Sequence, residues 1–324
     1  MFEYYKRDLK THLLLLLVAI IWGSSWAAGR ILSNGIDSDN PASMGPATSA
    51  WLRYLVVVIM FYAWYIYKFA KKEKIRLMPP DKDTLWDMIL LGFFGVMVYQ
   101  LLFMHGMKWT AAGDASLIMP INPVFTVLLA YPLLGQKITR KVLKGMFLSI
   151  IGVIIIVGWS PNTSIPLNER ILGDLMIMFA ALSWAVSSII TKKTIEKNNK
   201  LKISASEIVV WYSLIGWVML TPWMFQEIIT QGITFPNMTE AITILYLGSF
   251  STVLAYVWFV RGIEKIGPTS SSAYIFLVPI FGVLTGWIVL GENIGISMIL
   301  GFILIVIGVR EVQIESNRLT SSSK

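Results

Sequence analysis

The amino-acid sequence predicts an all-α integral membrane protein with ten transmembrane helices. Three observations predict this fold class: the composition, a series of apolar runs, and the placement of the cationic residues. Of 324 residues, 56 % are hydrophobic and only 14 % are charged, with a mean hydropathy of +0.67. A soluble domain of this size carries about 25 % charged residues. The excess of apolar surface therefore requires lipid as its solvent.

Ten apolar runs are each long enough to cross the hydrocarbon core, which takes about 20 residues in a helix. Their backbone must satisfy its own hydrogen bonds in lipid, so we expect each run to be a helix. The strands of a membrane barrel alternate polar and apolar residues, and these runs do not. The predicted spans are 12–33, 48–68, 85–107, 111–134, 142–159, 171–192, 205–225, 241–261, 269–290 and 295–313.

The cationic residues are distributed very unequally between the two sets of connecting loops. One set, together with both termini, holds 23 lysines and arginines, whereas the other holds only Arg30, Lys108 and Arg170. Because cations in short loops stay in the cytoplasm, we expect both termini to be cytoplasmic in the plasma membrane. The same asymmetry accounts for the net charge of +8 without any nucleic-acid partner.

Cofactor and metal sites are not indicated by the composition. The chain has no cysteine and two histidines, His12 and His105, too few for a thiolate or histidine-built metal site. We therefore predict no metal and no cofactor. Trp26, Trp109 and Trp159 fall near the predicted ends of spans, where amphipathic rings favour the membrane interface.

The sequence contains an internal duplication. Residues 91–153 align with 247–309 without a gap, and 18 of the 63 positions are identical, including Pro123 with Pro279 and Ser116 with Ser272. The first spans of the two repeats align at an offset of 162. That alignment pairs Trp22 with Trp184, Ser25 with Ser187 and Arg30 with Lys192. Five of the identical positions are glycine pairs: Gly92/Gly248, Gly106/Gly262, Gly135/Gly291, Gly145/Gly301 and Gly152/Gly308.

An odd number of spans in each repeat inverts the second repeat relative to the first. We therefore predict two inverted five-helix repeats, 1–160 and 161–315, followed by a cytoplasmic tail, 316–324. Inverted repeats related by a pseudo-two-fold axis in the membrane plane are typical of transporters. This architecture predicts alternating access, in which the two halves exchange conformations.

The ordered motifs of the chain resemble those of the EamA family in the drug/metabolite transporter superfamily. The resemblance covers nearly the whole chain, with one departure: the family usually has glutamate after Gly135, where this chain has Gln136. It implies ten helices, a central cavity and alternating access, but no particular solute. The motifs are Trp22-Gly23-Ser24-Ser25 with Arg30, Arg53, the series Gly106–Ala115–Ser116–Pro123–Gly135, the series Gly262–Pro279–Gly291–Glu292, and Gly145 with Gly152.

Polar and aromatic side chains near the middle of the spans are candidates for binding a solute. Polar groups at that depth are costly towards lipid, so they should face the interior. Aromatic walls with polar edges suit amphipathic solutes and cations. The alternative is that the rings pack and the amides bond neighbouring helices. The candidates are Trp22, Ser25, Arg53, Tyr99, Gln100, Asn122, Trp184, Ser188, Tyr256 and Tyr274.

Pro123 and Pro279 occupy equivalent positions within spans and are candidate hinges. Proline removes one helical hydrogen bond, which should leave the carbonyls of Met119 and Ile275 available. A static kink is the alternative reading. The glycines spaced by seven in the fifth and tenth spans predict one small-residue face for close helix packing.

Arg53 is the only cation well inside a predicted span, where it costs about 3 kcal/mol on translocon scales. Three compensations are open. Arg53 snorkels to the surface, pairs with Asp114 at the start of the fourth span, or faces the cavity and binds a solute carboxylate. The third predicts organic acids such as amino acids as solutes.

The sequence as a whole predicts a transporter that moves a small amphipathic metabolite across the lipid bilayer, with export as the expected direction. A passive facilitator or channel and a flippase for lipid-linked substrates remain alternatives. An enzyme is less favoured, because neither a His-Glu-x-x-His nor a Gly-x-Ser-x-Gly motif is present. Both a monomer and a homodimer are compatible with the sequence.

Overall fold

The computed structural model describes residues 2–36, 39–72, 76–134, 138–198, 203, 205–266, 271 and 274–321, and the secondary structure in this part is helical. Gly135, Gln136, Ser272 and part of the predicted 68–82 loop lie outside the described residues. The helices are α1 Phe2–Asn34, α2 Pro46–Ala70, α3 Lys82–Trp109, α4 (Ala112–Ile118, Met119–Ile121 and Asn122–Leu134), α5 Arg140–Gly158, α6 Leu167–Asn198, α7 Ala205–Gln231, α8 (Met238–Leu245, Tyr246–Leu254 and Ala255–Ile266), α9 Tyr274–Leu290 and α10 Ile296–Ser321.

The helices agree with the ten predicted spans. In the described part of the chain, nine are long and apolar enough to cross a membrane, and α9 is a shorter apolar helix. The predicted start of the ninth span falls on residues that the structure does not describe. The chain is therefore an all-α, multi-pass membrane protein.

Local sequence explains where several helices begin and end. Asp81 and Thr139 cap α3 and α5 by accepting hydrogen bonds from backbone N–H groups three residues on. Asn237 and Glu240 form a reciprocal capping box at the start of α8. Gly291 ends α9 in the left-handed conformation (φ 66°), which glycine adopts without steric cost.

Two helices contain π-helical segments at positions that the internal alignment pairs. These segments are Gly92–Val98 in α3 and Tyr246–Leu254 in α8. A wider turn re-aims the side chains that follow it, and such segments are frequent at functional sites. Three candidate residues, Tyr99, Gln100 and Tyr256, come within two positions of the ends of these segments.

The α5–α10 pair packs through the glycines that the sequence singled out. A Cβ atom on Gly145 would lie 2.6 Å from the Gly308 carbonyl oxygen, and one on Gly152 would lie 2.5 Å from that of Gly301. The predicted small-residue faces are therefore confirmed, and they face each other. Because Gly145 aligns with Gly301 and Gly152 with Gly308, the Gly145–Gly308 contact is equivalent by the repeat to the Gly152–Gly301 contact.

The two ends of the helix bundle differ. We call the end at which α1 begins and α10 ends the terminal face, and the end at which α1 leads into α2 the opposite face. At the opposite face, Glu292 accepts hydrogen bonds from the N–H groups of Ala112 and Gly113 at the start of α4 (2.6 and 2.8 Å). Glu227 accepts two at 2.8 Å from the first N–H groups of α2. These carboxylates bind helix N-termini and tie the loops together.

Candidate functional site

A cavity of about 230 Å³ lies in the half of the bundle nearer the terminal face. Helices α3, α6, α7 and α8 form its walls. Three of the predicted candidates, Trp184, Ser188 and Tyr256, line it together. The complete lining is Leu91, Gly95, Trp184, Ser187, Ser188, Thr191, Ile195, Ile208, Val209, Tyr212 and Tyr256.

The cavity wall is amphipathic. The hydroxyl groups of Ser187 and Ser188 donate hydrogen bonds to the Trp184 carbonyl (2.9 and 2.8 Å), so their oxygen lone pairs remain available as acceptors. The Trp184 ring packs against Tyr99 with their centroids 5.4 Å apart. None of the lining residues is charged. Apolar walls with a few convergent polar groups are typical of sites for small organic molecules.

Arg53 on α2 lies directly behind this wall and is only 9 % exposed. Its guanidinium donates hydrogen bonds to the side-chain oxygens of Gln100 (3.4 Å) and Thr252 (3.0 Å). Its Nε–H has no hydrogen-bond partner in the part of the chain that the structure describes. Gln100 lies on α3 and Thr252 lies one turn before Tyr256 on α8, so both bonds connect Arg53 to helices that line the cavity.

Two of the three predicted compensations for Arg53 are wrong. Arg53 does not snorkel, because it is buried. It does not pair with Asp114, whose carboxylate instead accepts a hydrogen bond from Ser160 at 2.5 Å. Depth within the membrane is similar for the two residues, but their side chains point to different neighbours. Arg53 forms no ion pair with any carboxylate in the described part of the chain.

Other predicted candidates lie outside the cavity lining. The Trp22 indole N–H donates to the Ser251 carbonyl (3.0 Å), and its ring packs on Phe259 with centroids 5.2 Å apart. Ser25 donates to the Trp22 carbonyl of its own helix. Tyr274 is hydrogen-bonded to His12 at 2.7 Å. Trp22 and Tyr274 therefore connect helices within the bundle, whereas Ser25 bonds only its own helix.

Asn122 and the two candidate hinges lie where helices change pitch. The Asn122 amide donates to the Ala181 carbonyl (2.8 Å), which is the helix-bonding alternative for this residue. A 3₁₀ turn precedes each of Pro123 and Pro279. The Met119 carbonyl accepts the Asn122 N–H in that turn, so the expectation that Pro123 leaves it free is wrong. A hinge role for these prolines stays a prediction.

The half of the bundle nearer the opposite face is filled at the corresponding place. Trp26, expected at the membrane interface, is 5 % exposed and packs edge-on against Phe103 with centroids 5.4 Å apart. Trp26 is buried because α3 approaches α1 closely here: a Cβ atom on Gly29 would lie 2.6 Å from the Phe103 ring. Arg30 donates to the Met107 carbonyl at the end of α3 (2.7 Å). These contacts, which we call the seal together with the neighbouring Glu292 cap, close α1 against α3 in this half.

The carboxylate of Glu292 lies in this seal, outside the membrane spans. Burial raises its pKa above the ordinary value for glutamate. The backbone N–H groups of Gly113 and Ala112 and the charge of Arg30 act in the opposite direction. In the described residues no three acidic or histidine side chains converge to hold a metal ion.

Several residues around the cavity were not among the candidates predicted from the sequence. Tyr54 faces Gln100 and thereby joins the group around Arg53. Tyr212 and Thr191 line the cavity, and Thr252 bonds Arg53. All four are polar residues within spans. Selecting every hydroxyl at that depth could have found them, at the cost of many false candidates.

Comparison with known proteins places the chain among membrane transporters. It is 26 % identical over 266 residues to an "uncharacterized transporter", YyaM of Bacillus subtilis. The aligned residues cover 81 % of this chain and 82 % of that protein. It is 27 % identical over 311 residues to a "probable amino-acid metabolite efflux pump" of Salmonella typhimurium, covering 92 % and 93 % of the two chains.

A crystal structure of another protein has the same fold, with a TM-score of 0.58 at 17 % identity over 94 % of this chain and 98 % of that one. The model of the EamA-like transporter family matches residues 9–158 and again 171–311. The chain therefore belongs to the EamA-like transporter family and is a membrane transporter.

Proposed function

We propose that this transporter exports a small amphipathic solute that carries a carboxylate, such as an amino acid or a related metabolite. The solute enters the cavity between α3, α6, α7 and α8, and alternating access carries it to the other side. The observation that carries this proposal is the buried, uncompensated charge of Arg53.

A buried cation without an anionic partner is costly, and removing that cost requires an opposite charge. Arg53 has two neutral hydrogen-bond acceptors, no ion pair in the described residues and an Nε–H without a partner. A planar guanidinium fork matches a carboxylate. A solute carboxylate that reaches Arg53 past Thr252 supplies the missing charge, so binding favours anionic and zwitterionic solutes.

The remainder of the cavity favours an amphipathic solute. Trp184, Tyr212 and Tyr256 offer flat apolar walls, and the hydroxyls of Ser188 and Thr191 offer polar contacts. An ammonium group can rest on aromatic faces where no acidic side chain is present. The similarity to a "probable amino-acid metabolite efflux pump" supports the same class of solute.

Two features support alternating access by inverted halves, 1–160 and 161–315. The π-helical segments of α3 and α8 fall on aligned residues. The glycine contacts between α5 and α10 interchange when the aligned residues are exchanged, as a two-fold axis between the halves requires. In this conformation the cavity lies towards the terminal face, while Trp26 and Phe103 fill the corresponding place in the other half.

The distribution of cations supports a cytoplasmic terminal face in the plasma membrane, because 23 lysines and arginines lie on that side and three on the other. A cavity on the cytoplasmic side is in position to load a solute for export.

The test combines a binding screen with one conservative substitution. Purified protein is screened for thermal stabilisation by amino acids, other organic acids, nucleosides and amines, and the hits are measured in proteoliposomes. Arg53→Lys keeps the charge but loses the fork. Because charge-assisted hydrogen bonds contribute about 1.5–3 kcal/mol, the KM for the carboxylate solute should rise about ten- to a hundredfold.

The matched control is Arg140→Lys, at an exposed arginine at the start of α5. It should leave KM unchanged. Normal KM in Arg53→Lys, or stabilisation only by solutes that lack a carboxylate, contradicts the proposal. Saturable flux accelerated by solute on the far side distinguishes a carrier from a passive facilitator.

A further inference from the structure

A cluster of buried ionisable groups lies at the opposite face, away from the cavity. Asp114 begins α4, and Arg170 and Asp174 lie in the first two turns of α6. All three are at most 4 % exposed. Asp114 accepts a hydrogen bond from Ser160 (2.5 Å), and Asp174 accepts one from Thr110 (2.5 Å). Each aspartate accepts one short hydrogen bond from a hydroxyl, and the Asn162 side chain also faces Asp114.

Four buried polar atoms of the cluster have no close hydrogen-bond partner among the described residues. They are Asp114 Oδ1, Asp174 Oδ2, Arg170 Nε and Asn162 Nδ2. Arg170 does not neutralise either aspartate by an ion pair within the described residues, because its terminal nitrogens donate to the carbonyls of Asn162 and Val157 instead. Buried polar atoms normally find partners, so two buried carboxylates with an acceptor oxygen to spare are suited to bind a proton.

The charges around the cluster do not balance. Asp114 faces Asp174 and Arg170 from α6 and Glu292 from the loop between α9 and α10. Glu292 in turn faces Arg30 on α1. With every group ionised, three carboxylates meet two guanidinium groups, which leaves one buried negative charge. Two carboxylates that share a buried site hold a proton more readily than either alone.

The geometry points to a proton-binding site formed by Asp114 and Asp174, which holds one proton while the opposite face is sealed and releases it when that face opens. The proton comes from the solution at the opposite face, binds one carboxylate oxygen, and returns to the same solution. This inference rests on the proposed alternation between two faces, but the proton site itself can be tested without transport.

The cluster is coupled to the seal through its neighbours. The Asn162 side-chain oxygen accepts the Asn293 N–H (2.8 Å), next to the Glu292 cap on α4. Asp174 holds Thr110 in the connection between α3 and α4. Separating these loops admits water to both carboxylates, which then ionise. Acid at the opposite face should therefore favour the sealed conformation, by up to about tenfold per pH unit for one bound proton.

The first test detects the proton directly. Infrared spectroscopy of the wild-type protein at neutral pH should show the band of a buried protonated carboxyl group. Asp114→Asn or Asp174→Asn should remove or shift it, whereas Glu169→Gln, at an exposed acid of the same helix turn, should not. A spectrum without such a band at neutral pH overturns the proton site whether or not the protein transports anything.

The second test links the proton to the seal. Because the chain has no cysteine, Ile195→Cys reports the cavity and exposed Lys193→Cys corrects for the pH dependence of the thiol. The labelling rate of Ile195→Cys, divided by that of Lys193→Cys, should rise as the pH falls, because acid favours the sealed conformation in which the cavity is open. It should be high and independent of pH in Asp114→Asn and Asp174→Asn, which mimic the protonated form. If these variants misfold, the pH dependence of Ile195→Cys labelling in the otherwise wild-type protein tests the link between the proton and the seal.

The outcomes separate the two proposals. A buried protonated carboxyl with labelling that ignores pH overturns the link to the seal. Labelling that responds to solute but not to pH leaves the proposed transport intact and overturns this inference. Labelling that responds to pH but not to solute supports the proton site and argues against the proposed alternation. A profile unchanged by both asparagine variants assigns the cluster a purely structural role.

Discussion

The half of the bundle nearer the terminal face holds a cavity between its helices, whereas the corresponding place in the other half is filled by side chains. A separate pocket of about 300 Å³ lies farther out at the opposite face, between the α1–α2 connection and the start of α8. The predicted repeats align Trp26 with Ser188 and Gly29 with Thr191. Trp26 occupies the space against Phe103, and Gly29 lets that ring approach. Ser188 and Thr191 are small or polar and line the cavity. Equivalent helices thus form a seal in one half and a solute-sized space in the other.

In this conformation, the larger ring of Trp26 at the position aligned with Ser188 contributes to filling that half. The helix framework is shared, as the paired π-helical segments and glycine contacts show. The caps differ as well. Glu292 ties α4 to the neighbouring loop with two hydrogen bonds. The aligned residue of the first repeat is the uncharged Gln136, which lies outside the described residues.

Ser188→Trp should have the largest effect, because it places in the cavity the ring that fills the other half. We expect solute uptake into proteoliposomes to fall to background with little change in thermal stability. Ser188→Ala removes only the hydroxyl and should retain transport. Ile150→Trp, on the exposed side of α5, controls for added bulk. Near-normal transport by Ser188→Trp would remove this cavity from the solute path.

Trp26→Ala makes the reverse change and should empty the filled half. Truncating a buried tryptophan costs about 3–5 kcal/mol in protein cores, so the melting temperature should fall clearly. The exposed Trp159 lies at the same face (68 % exposed), and Trp159→Ala should change stability little. Equal melting temperatures for the two variants would show that the Trp26–Phe103 contact does not hold the seal.

Glu292→Gln tests the contribution of the cap and should have a smaller effect. It keeps an acceptor but loses the charge, which weakens hydrogen bonds worth about 1.5–3 kcal/mol together with the helix N-terminus interaction. Labelling of a cysteine at Ser33, buried near the opposite face, should increase several-fold. Exposed Glu311 supplies the control variant, Glu311→Gln. Unchanged labelling would limit Glu292 to capping α4.

The fold was largely predictable because the membrane imposes strong constraints. Backbone hydrogen bonding in lipid makes each apolar run a helix, and the length of the run fixes its span. The spacing of Gly145 and Gly152 predicted a packing face, which α10 occupies. Helix ends were less predictable: α6 and α10 continue past their apolar runs, since a polar helix outside lipid carries no comparable penalty.

The site was predictable only in part, because depth along a helix does not set the direction of a side chain. Trp184, Ser188 and Tyr256 share the cavity, whereas Trp22, at the position aligned with Trp184, bonds α8. Asp114 was one of three possible compensations for Arg53, but its partner Ser160 comes from the connection after α5. Such partners depend on tertiary packing that a single sequence does not encode at the level of motifs.

Cysteines at aligned positions in the two halves test alternating access directly. Ile195 lines the cavity, and Ser33, which the repeat aligns with it, is 4 % exposed. Without solute, Ile195→Cys should react rapidly from the terminal face and Ser33→Cys should be protected from both faces. A transported solute should raise labelling of Ser33→Cys from the opposite face and lower that of Ile195→Cys. Labelling of both positions together, or no response of either to a solute that is transported, would contradict alternating access.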